Sequence, residues 1–319
     1  LKMAKITDNN VLTQLERFAE ATCLIETSDG SWGTGFHFGG GWIMSAAHNF
    51  QTEGDRKDLH SLLGQASFTF KTGKELKIFP RQANRMAFIH QLQFNPKSID
   101  RENKDIAMVK LGTQYEYARS PDDLEQWEIE ENNELEELGL ISFGSIQLQE
   151  VSPTDEVYSI YYDNRTFCDG ILGCLPCFAS GCNYGGRKMV KQTVRAVTPS
   201  NPLPYPTMKL YPAVPHGASG CPILSNDFKL VGLLFGGSNV EDDALMWNNG
   251  IKRYIDAGVQ IIAEYERYLA MQRLKATTRG SSVNENVQKK ESDGKKELRE
   301  QARRNKLTIY VNGESITGQ

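Results

Sequence analysis

The 319-residue chain contains no apolar run near the roughly 18–20 residues that cross a bilayer, so no helical membrane span is expected. Its amino end, Leu1 to Thr7 followed by Asp8-Asn9-Asn10, lacks the apolar core and small-residue cleavage site of a secretory signal. An excess of one charge is also missing. With 36 basic and 40 acidic residues the net charge is −4, too balanced for a dedicated nucleic-acid binder. No internal repeat recurs at a fixed short period. Cysteine is scarce, and four of the six (Cys168, Cys174, Cys177, Cys182) crowd into one segment. What remains is an ordinary globular composition, 39% hydrophobic and 24% charged, in a chain long enough for one large domain or two small ones.

Two charged segments stand apart from these averages. Asp122 to Glu137 holds nine acids and no Lys or Arg, and Lys275 to Lys306 holds ten bases against five acids. Both read as solvated faces or linkers framing a more neutral body. Chemistry is expected in that body.

Periodicity divides the body further. Residues 8–20 predict a helix capped by Asp8 or Asn9, with Val11, Leu12, Leu15, Phe18 and Ala19 on one face. From Ala21 the pattern becomes that of strands: 21–26, 35–38, 42–45, 67–71, 75–79, 86–92 and 106–111, punctuated by Ser28-Asp29-Gly30 and Gly39-Gly40-Gly41. A second set is expected at 140–143, 157–161, 189–198, 209–212, 222–224 and 229–235. Helical spacing returns with Ile251, Tyr254, Ile255, Val259, Ile262, Tyr265 and Leu269. After a linker at 277–282 comes a polar, helix-forming stretch, then a hairpin turning on Asn312-Gly313. The domain boundaries predicted are an amino-terminal helix (1–20), a first barrel (21–117), an acidic connection (118–138), a second barrel (139–247), a closing helix (248–274) and a basic polar tail (275–319).

Three local patterns carry chemistry through their order. Ser45-Ala46-Ala47-His48 ends a strand on a histidine. Asp105 stands at the entrance of the apolar strand Ile106 to Leu111. Gly217-Ala218-Ser219-Gly220 is a serine in a glycine turn, with the strand Leu230 to Phe235 behind it. A serine hydroxyl is a poor nucleophile until an imidazole takes its proton, and the imidazole needs a carboxylate on its other nitrogen to fix tautomer and orientation. Glycine suits the turn because two backbone N–H groups must point at one oxyanion. His48, Asp105 and Ser219 then serve as base, orienter and nucleophile, and Gly217 and Ser219 supply the N–H groups of the oxyanion hole.

On these stretches, from about Ala21 to Gly237 plus the closing helix, the sequence resembles the trypsin-like (chymotrypsin-fold) serine peptidases. The resemblance implies a mainly β fold of two antiparallel six-stranded barrels with the triad between them, flanked here by an amino-terminal and a carboxy-terminal helix. Two departures point away from the secreted branch. Asn49 stands where secreted members commonly carry a disulfide cysteine, and Ala218 where zymogen-activated members carry an aspartate. Both look more like the intracellular members, so a cytoplasmic or nuclear location is expected. By the same resemblance Ala213, Leu234, Gly236 and Gly237 shape the specificity pocket, favouring an apolar or aromatic P1 residue. No acid is placed there for Lys or Arg unless Asp242 or Asp243 swings in.

The cysteine cluster leaves three readings open: free thiols in a reducing compartment, a structural zinc on Cys168, Cys174, Cys177 and Cys182, or disulfides. Asn164-Arg165-Thr166 matches a glycosylation acceptor. Lys289-Lys290 with Arg303-Arg304-Asn305-Lys306 resembles a two-part nuclear import signal, though a solvated basic helix is the favoured reading. The function expected is a serine endopeptidase on protein or peptide substrates. No cofactor, catalytic metal, nucleic acid or membrane partner is expected, and the oligomeric state is not legible. The rivals are a protease acting mainly on itself and a non-catalytic binding module on the same fold.

Overall fold

In the computed structural model the described residues are 6–27, 32–50, 66–72, 74–78, 86–90, 105–110, 140–163, 186–198, 206–278, 283–304, 307–311 and 314–315. The acidic connection, the glycosylation triplet and the four clustered cysteines lie outside them. Asp8 caps the first helix, α1 (Asn9–Glu20), by accepting bonds from the Asn10 and Val11 N–H groups at 2.8 and 3.3 Å. Its apolar stripe buries Leu15, Phe18 and Ala19, while Glu16 on the open side pairs with Arg187 at 2.7 Å.

The first half contributes β1 (Thr22–Glu26), β2 (Trp32–Gly39), β3 (Trp42–Ser45), β4 (Ser67–Thr72), β5 (Lys74–Ile78), β6 (Met86–His90) and β7 (Ala107–Lys110). The second half contributes β8 (Glu156–Tyr162), β9 (Arg187–Thr198), β10 (Thr207–Tyr211), β11 (Pro222–Ser225), β12 (Leu230–Gly237) and β13 (Asp242–Met246). These six close into an antiparallel barrel in the order β10-β13-β12-β11-β8-β9. Two helices follow, α2 (Asn249–Thr278) and α3 (Val283–Arg304), then a hairpin of β14 (Leu307–Val311) and β15 (Glu314–Ser315).

The fold is mainly β with helices at both ends, as the sequence predicts. The first half, expected as a six-stranded barrel, is among the described residues an open sheet of nine strands. It runs β15-β14-β6-β7-β3-β2-β1-β4-β5, because the carboxy-terminal hairpin joins it through five β14–β6 pairs, Leu307↔His90 to Val311↔Met86. Period-2 patterning marks a strand but not its partner, so this long-range pairing has no local signature. A second correction concerns 140–143, expected as a strand. There Phe143 opens a short 3₁₀ turn and packs on Phe18 and Phe36, with centroids 5.7 and 4.8 Å away. The sixth barrel strand is instead β13, whose paired acids disguise its alternation.

Two apolar clusters sit under this framework. The larger joins the first sheet to α1, to Ile251, Ile255 and Ile262 of α2, and to Leu298 and Ala302 of α3. The smaller fills the barrel with Val157, Tyr161, Val190, Val194, Leu210, Ile223, Val231 and Leu234 among others. Tyr162 spans the two halves: its hydroxyl donates to the Thr22 carbonyl at 3.2 Å and its N–H to Thr34 Oγ1 at 3.1 Å.

Candidate active site

Strands β3 and β7 pair with Ser45 opposite Ala107, so the end of one lies beside the start of the other. Just past β3 the chain makes one 3₁₀ turn, Ala47–Phe50, and Asp105 stands two residues before β7. His48 and Asp105, 57 residues apart, meet there. His48 Nδ1 donates to Asp105 Oδ2, the His48 N–H donates to Oδ1 at 2.9 Å, and the Ala47 N–H reaches the Asp105 carbonyl at 3.4 Å. A carboxylate only accepts, so this contact leaves the proton on Nδ1 and the lone pair on Nε2. Burial disfavours the imidazolium, but the Asp105 charge and hydrogen bond outweigh it and hold the His48 pKa above its ordinary 6.5. The His48 side chain retains 30% of its exposure against 13% for Asp105, leaving the imidazole reachable from solvent.

The serine turn is built on two glycines in the left-handed region, Gly217 at φ +98° and Gly220 at φ +87°. Neither site has room for a side chain. A Cβ on Gly217 would overlap the Trp32 ring, and one on Gly220 would overlap the Thr34 carbonyl and Ser45 Oγ. Behind the turn, the Gly220 N–H donates to the Leu234 carbonyl at 2.7 Å and the Leu234 N–H to the Cys221 carbonyl at 3.1 Å, which anchors the turn on β12. From β2, Thr34 Oγ1 donates to the Gly217 carbonyl at 2.8 Å and the Thr34 N–H to the Ser219 carbonyl at 2.9 Å. Ala218 is buried, Ser219 half-buried and His216 exposed. Among the described residues, neither the Gly217 nor the Ser219 N–H has an acceptor.

The four residues expected around a specificity pocket lie in different surroundings. Ala213 is half-buried, its N–H bound to the Val240 carbonyl at 3.1 Å. Gly236 and Gly237 follow a bulge in β12 and face Asp243 and Asp242. Leu234 instead points into the barrel core, 3% exposed. Both acids are already engaged. Asp243 pairs with Lys209 at 2.5 Å. Asp242 is 3% exposed, and its Oδ2 accepts from Gln192 Nε2 at 2.7 Å and from the Val214 N–H at 2.9 Å. Gln192 also donates to the Pro212 carbonyl at 2.7 Å and accepts from Ser159 Oγ at 2.5 Å. Burial raises the Asp242 pKa to about 6, although its two hydrogen bonds pull it down. Burial likewise pushes the Cys221 thiol up, as it does Cys23, and both cysteines are free.

The solved structures similar to this chain include proteases, each at low identity. The Rv3671c protease of M. tuberculosis in its inactive form is 12% identical, covering 77% of this chain and 93% of that one with a TM-score of 0.41. The serine endoprotease of Yersinia pestis is 11% identical over 76% of this chain and 64% of its own, with a TM-score of 0.42. A human pathogenic astrovirus serine protease is 16% identical over 73% and 92%, with a TM-score of 0.37. No protein-family model and no curated protein sequence matches the chain.

Trp32, Thr34, Asn49, Gln192 and Asp242 are the site residues that sequence motifs did not single out for these roles. Each acts through a partner more than 20 residues away, so no local pattern marks it. The nearest signal was Asn49, a polar residue directly after the histidine.

Proposed function

We propose that the chain is a serine endopeptidase that hydrolyses peptide bonds through an acyl-enzyme. The observation that carries this reading is the two-point grip of Asp105 on His48, at Nδ1 and at the backbone N–H, beside a serine turn tied to the same sheet. In this mechanism Ser219 Oγ attacks the scissile carbonyl carbon while His48 Nε2 takes the hydroxyl proton. The carbonyl oxygen becomes an oxyanion facing the Gly217 and Ser219 N–H groups. Collapse of that adduct breaks the C–N bond, and His48 passes its proton to the departing amine. Water then repeats the sequence on the ester and releases the acid. Asp105 orients the ring and stabilises the imidazolium.

Protein or peptide substrates suit the open, half-exposed serine. The small residues Ala213, Gly236 and Gly237 favour an apolar or aromatic P1 side chain, with Asp242 engaged by Gln192 and Val214 instead of offered to a cation. The test is turnover of a P1-varied peptide library as a function of pH. Because His48 must be neutral to act as base and its pKa is raised, kcat/KM should climb with pH around a midpoint above 6.5. Ser219→Ala should lose on the order of 10⁶ in kcat and Asp105→Asn about 10⁴. Near-normal turnover by Ser219→Ala would end the proposal, and a chain that turns over nothing would favour the binding-module reading.

A further inference from the structure

Asn49 shares the 3₁₀ turn of His48, yet its own side chain is 8% exposed and faces the other way, into the junction of sheet and serine turn. Its Nδ2 donates two bonds, to Ser45 Oγ and to the Ser219 carbonyl, both at 2.9 Å. Ser45 Oγ spends its own proton on the Thr34 carbonyl at 2.7 Å, so it meets Asn49 as an acceptor. The Ser219 carbonyl accepts twice, from Asn49 and from the Thr34 N–H. Thr34 Oγ1 accepts from the Tyr162 N–H and donates to the Gly217 carbonyl. Every donor in this ring has an acceptor, and the amide of Asn49 has one orientation, because both of its Nδ2 partners are acceptors. The backbone makes room for it: a Cβ on Gly33 would overlap the Asn49 amide.

We propose that Asn49 is a positioning residue, which locks the turn carrying the base to the carbonyl of the nucleophile. The inference rests on the serine-peptidase reading and adds to it what orders the Gly217–Gly220 turn when Ala218 offers no carboxylate to an amino terminus. His48 and Asn49 are adjacent in the chain, so a bond from Asn49 to Ser219 fixes the distance between the two turns directly. Asn49 touches no reacting atom. Its effect is on how often Ser219 Oγ and His48 Nε2 adopt a productive geometry, a quantity in which a shift of about 1 Å can cost 10²-fold.

The experiment compares wild type, Asn49→Ala, Asn49→Asp and Ile255→Val, a core change in α2 away from the site. Three quantities are read: the rate of labelling by a fluorophosphonate probe, kcat and KM on one peptide, and thermal midpoint. Asn49→Ala should lower the labelling rate and kcat about 10- to 100-fold with KM within about threefold. Asn49→Asp keeps the shape, removes both donors and should be at least as slow; it serves if the alanine variant does not fold. Ile255→Val should lower the midpoint and leave both rates alone. Labelling of the Asn49 variants at the wild-type rate would overturn the inference while leaving the peptidase reading intact. So would a loss matched by Ile255→Val, since the effect would then be general destabilisation. If wild type itself is not labelled, the peptidase reading fails and the inference falls with it.

Discussion

Asp242 is a carboxyl group with 3% of its surface exposed, so its charge is costly even with two donors facing it. The sign of its pH effect follows from the raised pKa. Below about 3.8 the group is protonated in both folded and unfolded chains and costs nothing. Between 3.8 and about 6 the unfolded chain has lost the proton that the folded chain keeps, so stability falls as pH rises. Above about 6 the cost is constant, roughly 3 kcal/mol at most by the size of that gap. Asp242→Asn keeps an acceptor for Gln192 and Val214 and removes the charge. Urea unfolding at pH 4, 5, 6 and 7 should show the variant gaining on wild type by about 1–3 kcal/mol across that range and no further above it. Parallel profiles would mean that Asp242 carries no such cost. The burial of Asp242 is also where residue-level reading ends: the sequence offers Asp242 and Asp243 alike as acids near a pocket, and only the barrel shows one inside and the other on Lys209.

At the scale of elements, the tail is part of the sheet that carries His48 and Asp105. β14 covers the free edge of β6, β6 pairs with β7, and β7 begins two residues after Asp105. Ile309 at the centre of β14 is fully buried in the larger cluster. Ile309→Ala should therefore destabilise the chain by about 2–5 kcal/mol, read by chemical denaturation. An unchanged midpoint would show the hairpin to be an ornament of the sheet. The same pairing bears on self-processing, because a chain cut near 277–282 would keep its tail through the β14–β6 ladder and the α3 side chains in the core. The hairpin itself was legible from Asn312-Gly313 and alternating side chains, as α1 was from Asp8 and its apolar stripe. Its partner was not, because pairing across more than 200 residues is set by which edge stands open after the rest has folded.

In the whole molecule, the two halves are joined beside His48 and Ser219 through bonds no single motif contains. The order of Ser45-Ala46-Ala47-His48, Asp105 and Gly217-Ala218-Ser219-Gly220 was readable, because each end of a strand or turn demanded its own residue types. What was not readable was the mortar between them: Trp32 against Gly217, Thr34 on two carbonyls, Tyr162 bridging sheet and barrel, Asn49 on Ser219. The central claim is that Ser219 is an activated nucleophile, and intact-mass analysis after exposure to a fluorophosphonate probe tests it most directly. One probe per chain, mapped to Ser219, absent from Ser219→Ala and strongly slowed in His48→Ala, is the predicted result. No adduct on folded protein, or an adduct that persists in Ser219→Ala, would contradict it.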